Sequence, residues 1–279
     1  MMTLEEMQAL LKDSIPGKRY KHSVNVYETA LKMAEAHGLP QEKIAVAALL
    51  HDCGREVASK DSVAKCQELG LPIDEIEMHQ PILLHAKLGV YNAMHKYGVA
   101  DQEILDGIMY HTTGIDGMSK LAKVVYLADM IEPGRDFPGV EELRKLARKD
   151  LDKAMLMAYG NTIRQLHEQY GDRELHFIIG ADSVAQLHTW HNIEEMLELT
   201  RFVAVWRPGY EDAMEELVRH LGLHAKERVL LLDTPVYDIS STEIRTRIRQ
   251  GASLAGLVPD TVEKYIYEHG LYGCRTGEK

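Results

Sequence analysis

Ile44-Ala45-Val46-Ala47-Ala48-Leu49-Leu50-His51-Asp52 is the stretch on which the reading of this chain turns. Apolar residues fill the run up to Leu50, and a histidine and an acid then follow side by side. In a helix Ile44, Ala47, Ala48 and His51 share one face, because residues three and four apart are neighbours. The spacing therefore predicts a helix that ends by pointing His51 into the interior, with Asp52 beside it at the helix end. A carboxylate held there is costly unless it is paired or coordinates a metal, so Asp52 needs partners from elsewhere in the chain.

Four candidates sit at comparable places. His22 precedes Val24 and Val26, His85 follows Ile82-Leu83-Leu84, His111 continues the stripe of Ile104 and Ile108, and Asp129 follows Leu121 and Val125 at spacings of four. A single histidine on an apolar face is more often a hydrogen-bonded core residue, and a His-Asp dipeptide occurs by chance. The combination of His22, His51, Asp52, His85, His111 and Asp129 is much less expected by chance, and on the residues alone a metal centre stands level with a hydrogen-bonded core. Imidazole and carboxylate together suit first-row ions such as iron, manganese, cobalt or zinc. Asp52 is the natural bridge between two ions, and a pair of ions clamps the attacking and leaving oxygens of an in-line displacement. His37, His79 and His95 read as surface or structural residues.

Outward from this centre, residues 3 to about 168 keep a helical rhythm, as in Tyr20, Val24, Tyr27 and Leu31. Helix stops fall at His37-Gly38-Leu39-Pro40, Gly70-Leu71-Pro72 and Pro133-Gly134. The expectation is an all-α helical bundle over residues 1–160. After about residue 174 short apolar runs take over: Leu175 to Gly180, Phe202 to Trp206 and Val229 to Leu232, with a helical stretch at 211–222. Strands alternating with helices predict an α/β domain with a parallel sheet over residues 161–279. The boundary falls within 160–174, without a Gly/Ser-rich or Pro-rich linker.

The net charge of −11 argues against nucleic acid or an anionic membrane as the main partner. An anionic small substrate remains compatible, since bound metal reverses the local sign. Three cysteines without a CxxC pair suit a reducing compartment. The start, MMTLEEMQALLKD, lacks the basic character of a signal peptide, and no apolar run approaches a membrane span. A cytoplasmic protein is expected, with a homodimer left open.

The segments KRYKHSVN (18–25), LLHDCG (49–54), ILLHAKLG (82–89), YHTTG (110–114) and YLADMIEPGRDFPG (126–139) resemble a bacterial HD-domain family, the YqeK-type symmetrical diadenosine-tetraphosphate hydrolases. The resemblance covers about residues 1–160. It implies a centre of two divalent first-row ions, iron above all, held by His22, His51, Asp52, His85, His111 and Asp129, with Asp52 catalytic. It also implies cleavage of diadenosine tetraphosphate to two ADP. Arg55 and Arg135 are the phosphate partners expected there, because a guanidinium grips phosphate with two donors, and Thr112 and Thr113 add hydroxyls. The alternative for both arginines is a solvated surface charge, and other nucleotides remain alternative substrates.

The second half resembles bacterial nicotinate-nucleotide adenylyltransferases through HFIIGADS (176–183), the Leu187 to Trp190 segment, RFVAVWRPGY (201–210), DISSTEIRTRI (238–248) and LVPDTVEKYIYEHGLYG (257–273). Ser240 with Glu243 reads as a capping box, so a helix starts there, and its free N–H groups together with Arg245 can receive phosphate. The plainer reading is a well-capped helix. The resemblance implies nucleotide contacts at Trp190, Ser240, Ser241, Thr242 and Arg245, with Trp190 facing a nicotinate ring. The Gly-rich loop and HxGH-type motif of that family occur nowhere in the chain. A half sheet is expected, with an exposed edge and apolar surface, along with three readings of function: a hydrolase, a transferase of NAD synthesis, or a nucleotide sensor without catalysis.

Overall fold

The computed structural model describes residues 2–115, 117–171, 173–190, 192–205, 212–232, 241–268 and 272, without the side chains of Asp182, Ser241, Thr242 and Glu268. Through residue 169 every regular element is a helix: α1 (Leu4–Ser14), α2 (Gly17–Ala36), α3 (Gln41–Leu50), α4 (Ser62–Glu68), α5 (Glu75–His79), α6 (Leu84–His95), α7 (Gln102–Met109), α8 (Lys120–Ile131), α9 (Val140–Ala147) and α10 (Leu151–Gln169). Local chemistry starts several of them. Thr3 and Glu6 close a reciprocal capping box on α1, Asp101 caps α7 and Ser119 caps α8, which satisfies N–H groups that lack intrahelical partners.

The α3 helix differs from the one-faced helix its spacing predicts. All residues from Ile44 to Leu50 are buried, because α2, α7 and α8 all pack against it. A helix that is apolar all round belongs in a core, and α3 is the axis of this bundle. One continuous core joins residues of α1, α2, α3 and α6 to α10.

A 3-10 turn, Cys53–Glu56, follows Asp52 and lies against α6. A Cβ on Gly54 would stand 2.1 Å from the His85 carbonyl oxygen and 2.5 Å from the Gly89 nitrogen. Only glycine permits this approach, and the approach carries His85 to Asp52.

The second half holds β1 (His176–Gly180), α11 (Ala181–Gln186), α12 (Ile193–Leu199), β2 (Arg201–Val205), α13 (Ala213–Arg228) and β3 (Val229–Leu232). The strands form a parallel sheet in the order β1-β2-β3, with Phe177 opposite Phe202 and Phe202 opposite Val229. Helical crossovers join the strands, as a parallel sheet requires. Phe202, Ala204 and Val229 lie in a core with Trp190, Met196 and Leu217. On the opposite face Ile178 and Leu230 stand 72% and 56% exposed, the apolar surface expected of a partial sheet. Two further helices, α14 (Ser241–Arg249) and α15 (Asp260–Glu268), share a small core of Ile248, Leu254 and Ile266.

The helix expected near residue 240 is α14. Ser240 lies outside the described residues, as do the side chains of Ser241 and Thr242, and so does the proposed capping box.

The two halves share α10. Met155, Met157 and Ala158 belong to the bundle core, whereas Ile163 belongs to the core around the sheet and Leu156 packs against it. Arg164 grips Glu195 of α12 with two hydrogen bonds, at 2.8 and 2.7 Å.

Gly54→Ala tests the close approach of the turn and α6. Its methyl group meets backbone atoms that cannot rotate away, so a loss of about 2 kcal/mol or more is expected. The shift in urea midpoint at constant m-value measures it.

Candidate metal centre

Six side chains converge from five places in the bundle: His22 from α2, His51 and Asp52 from the end of α3, His85 from α6, His111 just after α7, and Asp129 from α8. His51, Asp52, His85 and His111 are almost wholly buried. The structure brings together all six residues singled out from sequence.

Hydrogen bonds fix the imidazole orientations. His51 Nδ1 lies 2.8 Å from the Ala48 carbonyl, His85 Nδ1 2.5 Å from that of Ile82, and His111 Nδ1 2.7 Å from that of Ile108. A carbonyl only accepts, so each Nδ1 carries the proton and each Nε2 keeps a bare lone pair. His22 Nδ1 in turn faces the Glu132 carboxylate at 3.3 Å. The Nε2 atoms then crowd one another: His85 to His111 at 3.0 Å and His22 to His51 at 3.4 Å. His22 Nε2 also lies 3.0 Å from Asp129 Oδ1.

Asp52 lies between two donor groups. Its Oδ2 is 3.9 Å from His51 Nε2, and its Oδ1 is 3.5 Å from His85 Nε2 and 3.7 Å from His111 Nε2. Two overlapping triads, His22/His51/Asp129 and His51/Asp52/His111, each have ligand atoms within 4.8 Å of one another. Lone pairs facing lone pairs beside ionised carboxylates fit a cation and little else. The donor set therefore fits a metal, by its chemistry and by its orientation.

Protonation agrees. Burial pushes His51 down to about 4 and His85 down to about 3, so both are neutral, ligand-competent imidazoles at neutral pH. Burial opposes the ionisation of Asp52, yet the surrounding His111, His51 and Arg55 side chains hold its carboxyl far below the usual range. Asp129 is likewise held low against burial, by its hydrogen bond with His22. Burial lowers His22, but the Asp129 hydrogen bond outweighs it and the net shift is upward.

Cations ring the cluster in a chain that is acidic overall. Arg55 Nε donates to Asp52 Oδ1 at 3.0 Å, and its Nη2 lies 3.3 Å from His85 Nε2. Arg135 Nη2 donates to Asp129 Oδ1 at 2.6 Å with its side chain 41% exposed. Thr112 Oγ1 is 3.2 Å from His85 Nε2, whereas the exposed Thr113 bonds the Gly114 carbonyl. The other histidines singled out in the helical half have other occupations. His37 bonds the Ala147 carbonyl at 2.7 Å, His79 bonds that of Glu75, and His95 stacks on Tyr91.

Three residues went unnoticed in the sequence. Glu132 orients His22 and also accepts from Asn25 Nδ2 at 2.7 Å and the Gly134 N–H at 2.6 Å. Arg19 reaches Asp52 Oδ2 at 3.4 Å. Glu132 stands three residues after Asp129 and Arg19 three before His22, so helical spacing alone marks both. Arg144 of α9 donates to the carbonyls of Ile131, Glu132 and Arg135, which fixes the turn carrying Glu132 and Arg135. No local pattern announces that contact. In the second half, Trp190 is buried edge-on against Phe177 and Phe202, and Arg245 is half-buried on α14.

A helical bundle closing His and Asp side chains in this way defines an HD-domain hydrolase, a metal-dependent class, and residues 19–134 match the HD domain family. The chain is 40% identical over 162 residues to the symmetrical bis(5'-nucleosyl)-tetraphosphatase of Bacillus subtilis, covering 58% of this chain and 87% of that protein. It is 36% identical over 158 residues to the Staphylococcus aureus enzyme of the same name, covering 55% and 80%. A crystal structure of a predicted HD superfamily hydrolase involved in NAD metabolism from Clostridium acetobutylicum aligns at TM-score 0.57 and 37% identity, covering 61% of this chain and 89% of that one. Through its helical half the chain belongs to the family of bacterial symmetrical bis(5'-nucleosyl)-tetraphosphatases.

Residues 139–247 match the cytidylyltransferase-like family. A probable nicotinate-nucleotide adenylyltransferase of Mycobacterium bovis is 38% identical over 136 residues, and the chain spans 64% of its length. Among the described residues no helix is long and apolar enough to cross a membrane.

Asp52→Ala removes the carboxylate between the two donor groups. The purified variant is expected to lose both bound metal and hydrolysis, whereas His95→Ala keeps both. Elemental analysis alongside turnover decides it, and equal metal content in wild type and Asp52→Ala overturns the reading.

Proposed function

We propose that this chain hydrolyses diadenosine tetraphosphate to two ADP at the buried His/Asp cluster. The observation that carries the reading is the convergence of six donors, Asp52 among them, in a chain similar to relatives named for symmetrical cleavage of bis(5'-nucleosyl) tetraphosphates. His22, His51, Asp52, His85, His111 and Asp129 would hold two divalent first-row ions, with Asp52 the carboxylate that lies between the donor groups. Iron is the proposed metal, with manganese and cobalt as alternatives. When bound, such ions supply Lewis-acid charge at phosphoryl oxygens.

The chain's own residues do the rest. Arg55 meets the cluster at Asp52 and Arg135 at Asp129, and both grip phosphate oxygens with paired donors. Both now lie on carboxylates of the cluster, so their charge is already aimed where phosphate arrives. Thr112 and Thr113 add hydroxyl contacts at the rim. Glu132 holds the His22 ring in position through Nδ1. Water adds across the central P–O–P bridge, so that one ADP takes the added oxygen and the other keeps the bridging oxygen.

We further propose that the chain works as two units, 1–160 for hydrolysis and 161–279 for nucleotide binding without transfer, and that it acts in the cytoplasm without nucleic acid. The three parallel strands and the match to the cytidylyltransferase-like family support binding. The lack of an HxGH motif in the chain speaks against adenylyl transfer.

Chromatography of the products is expected to show ADP alone from diadenosine tetraphosphate, with loss of turnover on chelation. AMP with ATP means a different bond is cut, and full activity after chelation removes the metal from the reaction. In a coupled assay with nicotinate mononucleotide and ATP, the single chain is expected to form no dinucleotide above background, and robust synthesis overturns that part of the proposal.

A further inference from the structure

Two cavities meet beside the His/Asp cluster. The smaller, about 250 Å³, includes His111, Asp129 and Arg135 in its walls. The larger, about 1010 Å³, opens between the helical half and the sheet, with Lys123 and Tyr159 on one side and Phe177, Ser183, Gln186 and Trp190 on the other. Thr112, Tyr126 and Thr162 line both, so the two spaces adjoin, and Thr112 also touches His85.

The smaller cavity is below the roughly 300–1,000 Å³ of ordinary ligand sites. It offers room for phosphates beside the cluster. Cleavage at the middle of a tetraphosphate also places the cleaved P–O–P bridge two phosphates away from either nucleoside. Each nucleoside therefore needs a separate site at a distance from the cluster.

The larger cavity has the chemistry for one of them. Aromatic rings run along it from one half of the chain to the other. Tyr126 and Tyr159 are 6.0 Å apart, Tyr159 and Phe177 are 6.0 Å apart, and Phe177 and Trp190 are 6.1 Å apart. Nucleobases stack on such faces. Ser183 and Gln186 add hydrogen-bonding groups from α11, and the Lys123 ammonium stands on the opposite wall.

We propose that the cavity between the halves is the subsite for one purine nucleoside of the substrate, so that the sheet-bearing half completes the binding site of the hydrolase. The assignment rests on the hydrolase reading given above. On it the second half needs no chemistry of its own to matter: it acts as a wall.

Gln186→Trp and Ser183→Trp fill the cavity from α11 in the full-length, metal-loaded chain. Gln186 is exposed on the surface of its helix, so the bulkier side chain leaves the core untouched. Both variants are expected to raise KM for diadenosine tetraphosphate tenfold or more. Equilibrium titration with ADP, which needs no turnover, is expected to show a matching tenfold loss of affinity. KM and ADP affinity within twofold of wild type in folded Gln186→Trp overturn the subsite. A wild-type chain that leaves diadenosine tetraphosphate intact overturns the hydrolase reading instead. In that case the ADP titration alone judges the subsite, supporting it if Gln186→Trp weakens binding and overturning it if binding is unchanged or absent.

Discussion

Three backbone carbonyls, those of Ala48, Ile82 and Ile108, decide what the centre of this protein is. Each takes the Nδ1 proton of a buried histidine and so turns the other ring nitrogen inward without one. The result is a cluster of lone pairs and carboxylates in a space from which water is largely excluded. Such a cluster is unfavourable by itself and strongly favourable around a cation. Folding of the bundle and loading of the metal are thus linked, because the folded arrangement is the form that a cation binds and stabilises. The arginines at the rim supply part of that positive charge within the protein itself.

Much of this was legible in the sequence, for a physical reason. Side chains that must point inward share the helical period of the core, so Ile104, Ile108 and His111, or Leu121, Val125 and Asp129, state their orientation in their spacing. The three strands were legible from apolar runs ended by breakers, and they fall within a residue of where those runs place them. The parallel order follows from the helices between them.

What the sequence concealed depends on approaches between distant segments. Nothing near Arg144 foretells that it gathers three carbonyls of the turn after α8, and nothing near Gly54 foretells the carbonyl of His85 above it. The enclosure of α3 on all sides also escapes a local reading, since small residues such as Ala45 and Ala48 give little periodic contrast. Glu132 is a different case. Its spacing from Asp129 was visible, but its role emerges only once His22 is placed opposite it.

The α10 helix carries a consequence for the mechanics of the chain. Its first turns are part of one core and its later turns part of another, with Arg164 fastened to Glu195 where the second begins. A helix is a cooperative unit, because each turn stabilises the next. Melting either core releases one end of this rod and weakens its grip on the other core. The two halves are therefore coupled in their unfolding, and heat meets them as one cooperative block rather than as two beads on a string.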